Sequence, residues 1–153
     1  MFERAAREEK GRTMHRLLLP SFLLLLAASA PPVMAQGDLA RYRDKNRLLL
    51  VFAPSASDLR WAHQDVLLAG SKVQFADREL LRFKVFEHGV GVAGLRARYH
   101  VHPGSFRVLL IGKDGHVASS KSAPVVLSSL MDRIDRMPMR RDEMRRRGQG
   151  GGR

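Results

Sequence analysis

Arg47-Leu48-Leu49-Leu50-Val51-Phe52-Ala53-Pro54 holds five consecutive apolar residues, Leu48 to Phe52. The run is too short for a buried helix and too uniform for a strand with one wet face. It predicts a central strand covered on both sides. Pro54 cannot donate to a sheet ladder and ends the strand. Ser55-Ala56-Ser57-Asp58 then offers cap residues that open a helix. Strand, tight turn and helix N-terminus together place that turn at the rim where α/β folds keep their sites.

Downstream, Leu59, Ala62, Val66 and Ala69 recur at three and four, which predicts a helix over 57–69 with Trp61 and His63 off that stripe. Gly70 is its stop. Ala76 to Leu81 reads as a short turn or helix, and Leu81 to Phe86 alternates as a strand does. A loop with Gly89 and Gly91 leads to a short helix over Leu95 to Tyr99, and Pro103-Gly104 is a turn. Phe106 to Ile111 is a second buried strand; Gly112-Lys113-Asp114-Gly115 makes a hairpin turn, and His116 to Ser119 returns. Val125 to Met137 is a final amphipathic helix, with Val126, Leu127, Leu130, Met131 and Ile134 on one face, ended by Pro138. Upstream, Leu39 and Tyr42 give Asp38 to Arg43 the look of a short amphipathic lead-in. This order predicts an α/β fold: a single thioredoxin-like domain, with a mixed central sheet flanked by helices. Its parallel strands are joined by right-handed crossovers and it closes on an antiparallel hairpin.

The chain has 153 residues, no cysteine and a net charge of +12. Without sulfur pairs there is no disulfide, no thiol chemistry and no Cys-ligated metal. Met14-His15-Arg16, the apolar run Leu17 to Ala30 and Val33-Met34-Ala35 read as an export signal cleaved after Ala35. About 14 apolar residues cannot cross a roughly 30 Å hydrocarbon core. Residues 1–13 read as an upstream extension, with Met14 as the start. The expected organisation is a signal peptide over 1–35, one domain over 36–144 and a disordered basic Gly/Arg tail over 145–153. The expected location is outside the cytoplasm, in the periplasm. Five of the 27 basic and three of the 15 acidic residues lie in 1–35, so the exported chain keeps a charge of +10. From Pro138 to Arg153 alone the balance is +4.

Arg47 to Pro54, Asp77-Arg78-Glu79-Leu80, Val108 to Gly115 and Asp135-Arg136-Met137-Pro138-Met139-Arg140 together resemble the bacterial domain of unknown function 4174 family. The likeness covers about residues 38–145. It implies a thioredoxin-like fold, related modules in some secreted animal matrix proteins, and no established activity. The chain departs from redox-active thioredoxins at the helix-opening turn, where Pro54-Ser55-Ala56-Ser57-Asp58 stands in place of two cysteines. Where those proteins place a cis-proline before the third strand, Phe106-Arg107 stands here.

Candidate binding residues follow from the rim: Ser55, Ser57, Asp58, Trp61, His63 and Arg107. Ser and Asp at a helix start also accept hydrogen bonds from free N–H groups, so capping competes with any catalytic role. A serine nucleophile needs a base within reach, and His63 is the nearest histidine in sequence. Trp61 could stack on a ligand or cap the core edge. Arg96, Arg98 and Arg107 could hold an anion beside the helix start, or form a solvated basic face. His100 and His102 share one side of an extended segment; His88 and His116 join them only if loops converge, and two ligands do not make a zinc site. No cofactor is expected. The leading function is a non-redox module that binds a protein or a small anion. The alternatives are a hydrolase-like enzyme using Ser, His and Asp at the rim, and an envelope polyanion binder acting through the basic tail. Nucleic acid is a poor partner for an exported chain.

Overall fold

The computed structural model describes residues 38–150, which lie in one compact unit. The expected export segment, residues 1–35, and the last three residues of the tail fall outside the described residues. Four strands, β1 (Arg47–Ala53), β2 (Leu80–Phe86), β3 (Arg107–Ile111) and β4 (Val117–Lys121), form one sheet in the order β2-β1-β3-β4. β1 runs parallel to β2 and antiparallel to β3, which closes antiparallel on β4. Five helices surround it: α1 (Leu59–Leu67), α2 (Lys72–Asp77), α3 (Val92–Arg98), α4 (Leu127–Asp135) and α5 (Pro138–Gly150). A 3₁₀ turn, Asp38–Tyr42, leads in, with Leu39 buried and Tyr42 packed at 5.4 Å from Phe83. The expected mixed α/β sheet is the observed one.

Every residue of β1 is buried, as its apolar run requires. Successive side chains of a strand point to opposite faces, so β1 divides the core in two. Leu48, Leu50 and Phe52 join Phe83, Val85 and Leu95, on the side of α3. Leu49, Val51 and Ala53 join Trp61, Phe106 and Leu130, on the side of α1 and α4.

Expectations give way at α1 and at the tail. The stripe Leu59, Ala62, Val66 and Ala69 faces water, and α1 instead buries Trp61 and Gln64, with Leu68 just beyond its end. Gln64 holds that rotation: its Nε2 donates to the Val125 carbonyl at 3.0 Å and its Oε1 accepts from the Val125 N–H at 2.8 Å. A buried amide satisfied in both directions is compatible with the interior, which an apolar-period reading cannot anticipate. At the tail, α4 stops at Asp135, short of the expected Met137, and Pro138 instead begins α5, whose first turn closes through the Arg141 N–H on the Met137 carbonyl. Proline is suited to a helix's first position, where its missing N–H is no loss. As far as Gly150, the segment expected to be disordered from Arg145 is helical.

α5 docks by charge. Arg140, Glu143 and Arg147 share one face, and all three reach back to the domain. Arg140 bonds Asp77 and Asp135, Glu143 pairs with Arg47 at 3.1 Å and Lys113 at 2.7 Å, and Arg147 meets Asp77 at 2.5 Å. Arg78 joins the same cluster through Asp135 at 2.6 Å. Arg47 is 1% exposed and Arg140 is also buried. Burial raises the Glu143 carboxyl's pKa, but hydrogen bonds from Lys113 and Arg47 and their charges outweigh it and hold the carboxyl below its usual range. Asp135 is likewise lowered overall, burial being overcome by Arg78 and Arg140.

Candidate functional site

β1 ends at Ala53, and the chain turns through Pro54 to Ser57 before Asp58 caps α1. The Asp58 carboxylate accepts the Arg60 N–H at 2.8 Å and grips the Arg60 guanidinium at 2.6 Å. The hydrogen bond from that guanidinium lowers the Asp58 pKa. Capping is therefore its observed work. Ser55 and Ser57 place their hydroxyl oxygens 2.8 Å apart. Among the described residues, no histidine hydrogen-bonds either serine.

The rim's backbone is fixed from below by Arg96. Its guanidinium donates to the carbonyls of Ala53 at 3.1 Å, His102 at 2.8 Å and Ser105 at 3.3 Å, with Glu87 3.8 Å away. Burial lowers its pKa, partly offset by the Glu87 charge. Glu87 in turn accepts the Gly104 N–H. Arg96 thus ties the end of β1 to the loop before β3, and its role is internal; the anion-holding role considered for it from sequence is not one its contacts leave open. Arg107 begins β3 opposite Phe52 and is half-buried, with no carboxylate in ion-pair reach among the described residues. Arg98 lies in the last turn of α3, with its guanidinium 5.6 Å from the centre of the Tyr99 ring.

Trp61 is part of the core, edge-on to Phe86 at 5.1 Å, with Lys84 5.0 Å and Arg82 5.8 Å from its ring centre. His63 is exposed on α1. His100 lies at positive φ (52°) just past α3, so the expected extended His100–His102 segment is broken there, and the His102 carbonyl is engaged by Arg96. Among the described residues, no three His, Cys, Asp or Glu side chains are placed to hold a metal ion.

Ser55, Ser57 and Asp58 follow the carboxyl end of β1 and Trp61 lies in the core, while His63 stands outside on α1 and Arg107, paired opposite Phe52, lies on the α3 face of the sheet rather than the α1 face. Sequence reasoning missed the exposed companions of this rim. Leu59 is 85% exposed and Val66 71% exposed, on the same face of α1 as His63 and Ala62, while Arg60 lies 5.5 Å from the centre of the Phe106 ring. Their signal in the sequence is the three-and-four apolar spacing, which on α1 marks the exposed face and not the core. The basic tail is partly committed, since Arg140 and Arg147 both pair with Asp77. No helix among the described residues is long and apolar enough to cross a membrane.

Residues 38–143 match the family described as Domain of unknown function (DUF4174). Coiled-coil domain-containing protein 80 of Danio rerio is 28% identical over 142 aligned residues, which cover 74% of this chain and 16% of that protein. The chain therefore spans about a sixth of the length of that relative. Among solved structures, thioredoxin peroxidase I of Plasmodium yoelii aligns with a TM-score of 0.52 and 16% identity, over 63% of this chain and 75% of that one. The reduced 2-Cys peroxiredoxin of Plasmodium vivax aligns with a TM-score of 0.52 and 15% identity, over 63% and 80%. At such identities the likeness shows the fold alone. This chain, unlike any dithiol enzyme, holds no cysteine.

Proposed function

This chain belongs to the domain of unknown function 4174 family, and from that premise we propose that it is an exported, non-redox thioredoxin-like module that binds a segment of an acidic protein. The binding surface is the rim at the carboxyl end of β1 with the outward face of α1. The observation that carries this reading is the exposure of Leu59 and Val66 at helical spacing beside Ala62, on a helix whose other face is already packed. Apolar side chains left in water at regular spacing favour a partner that covers them. Charge selects the kind of partner. Lys84 lies beside Trp61 under α1, Arg60 on α1 shares its charge with Asp58, and Arg107 opens β3, within an exported chain of net charge +10; an acidic partner gains from that field and a basic one is repelled. A second copy of this chain would carry the same positive charge. Ser55 and Ser57, bonded only to each other, remain able to donate to a carboxylate.

Export rests on the segment Met14 to Ala35; N-terminal sequencing of protein recovered from outside the cytoplasm should begin near Gln36, and retention of Met14 would refute it. Binding is tested by ¹⁵N NMR titration with two helical peptides of equal length, one of Leu and Glu, one of Leu and Lys. The acidic peptide should shift amides of residues 55–66 and 107, and Leu59→Glu with Val66→Glu should weaken it at least tenfold with the fold intact. Equal binding of the basic peptide, or indifference to both substitutions, would end this reading.

A further inference from the structure

At the opposite end of the sheet from the rim, α4 presents Arg133 and Arg136 one turn apart. Both line a cavity of about 310 Å³ beside Arg47 and Lys113, whose apolar walls are Ala118, Met137 and Pro138. The same two arginines also border an adjoining hollow of about 330 Å³ between β4 and α4, floored by Leu49, Val108 and Leu130.

The electrostatics of this end are uneven. Arg47, Arg78, Lys113, Arg140 and Arg147 all have carboxylate partners. Arg133 spends one nitrogen on the Ala118 carbonyl at 2.7 Å and has no carboxylate in ion-pair reach, and the Arg136 guanidinium has neither a hydrogen bond nor an ion pair among the described residues. Two guanidiniums without a carboxylate partner, in the lining of a cavity with apolar walls, match a ligand with one anionic end and one apolar end; the one carboxylate in that lining, Asp114, accepts the His116 N–H. A guanidinium engages a carboxylate or a phosphate through paired N–H groups, and a hollow of this size accommodates a small ligand.

We propose that this groove binds a small anion, carboxylate or phosphate, bearing a short apolar chain. Arg136 and Arg133 hold the anionic head, and the walls formed by Ala118, Met137 and Pro138 take the chain. The site is separate from the rim and does not depend on the function proposed for it. The competing explanation is that the two arginines merely complement the carbonyls at the end of α4.

Calorimetric titration of the protein with octanoate, octyl phosphate, octanol, acetate and inorganic phosphate separates these possibilities. Octanoate or octyl phosphate should bind at least tenfold more tightly than acetate, phosphate or octanol, and the stronger of the two identifies the head group. Arg136→Ala should weaken that binding at least tenfold, Arg136→Lys less, and amide shifts on binding should fall at Ala118, Arg133 and Arg136. Because Arg136 is exposed and unpaired, its replacement should leave the melting temperature unchanged. Leu59→Glu, at the rim, should leave the affinity unchanged. Binding of octanol as tight as that of octanoate, loss of melting temperature in Arg136→Ala with no effect on affinity, or no binding of either amphiphile at millimolar concentration would overturn the proposal.

Discussion

Each end of β1 is held by a buried arginine, and the two are used in different ways. At the carboxyl end Arg96 donates to three backbone carbonyls. At the amino end Arg47 spends its guanidinium on the Arg78 carbonyl and on Glu143. The first arrangement fixes loop geometry through the backbone and draws on none of the rim's own side chains. The second recruits a helix from nearly a hundred residues away. A guanidinium on carbonyls makes a scaffold for a surface; a guanidinium on a carboxylate makes a joint between elements. The rim is consequently rigid in its backbone and open in its side chains, and the opposite end is closed by ion pairs except where α4 leaves Arg133 and Arg136 free of carboxylates.

The widest perturbation should strike both ends together. Leu50 is wholly buried in the middle of β1, and Leu50→Ala should cost about 2–5 kcal/mol through lost transfer energy and a residual cavity, read by urea denaturation. A loss below that range would mean that the core repacks around β1 more readily than its complete burial indicates.

Next, Glu143→Gln should separate the ends. It leaves Arg47 and Lys113 without their shared carboxylate, and breaking a buried pair costs about 3–5 kcal/mol. The lower part of that range applies here, because α5 can move aside and let water reach the cations. Hydrogen exchange should quicken along α5 while the rim keeps its protection. The same pair sets the acid response. Glu143 and Asp135 titrate lower in the folded protein than in the unfolded chain, so their contribution is complete above the ordinary values of 4.5 and 3.8. It is lost as pH falls through the depressed folded values. Glu143→Gln should flatten the acid limb of a stability-against-pH curve; an unchanged limb would show that the pair contributes nothing to it.

Arg96→Ala tests the other end. Carbonyls of Ala53, His102 and Ser105 would lose their donor at a cost of about 1–3 kcal/mol for a buried unsatisfied group. Faster exchange should be confined to the loop 99–106, with α5 undisturbed. Loosening of α5 as well would show that β1 transmits strain from one end to the other and that the contrast drawn above is wrong.

The smallest effects belong to the turn itself. Asp58→Ala should cost about 0.5–2 kcal/mol as the loss of an N-cap, while Ser55→Ala and Ser57→Ala, whose hydroxyls meet only each other, should change the melting temperature little. Turnover of an ester, peptide or glycan that either serine variant abolished without unfolding the protein would make the rim an active site.

Much was legible in the residues because the signals were local. The apolar run Leu48 to Phe52 could only be a strand buried on both faces, and the alternation of β2, the Asp114-Gly115 turn and the Leu130, Met131, Ile134 face of α4 each stand in the structure where their spacing puts them. The lack of cysteine by itself excludes dithiol chemistry. Two matters only the tertiary structure decided. Both faces of α1 carry apolar residues, and the choice between them fell to Gln64, whose amide is satisfied by the backbone of Val125, 61 residues away. α5 has no apolar stripe to reveal it; its docking face is Arg140, Glu143 and Arg147, and their partners Asp77, Arg47, Lys113 and Asp135 are distant in sequence or lie on other elements. Burial of apolar surface depends on a residue's own type and so leaves a periodic trace along the chain. A hydrogen bond or ion pair depends on which group the fold brings opposite, and that is fixed only when the chain has closed.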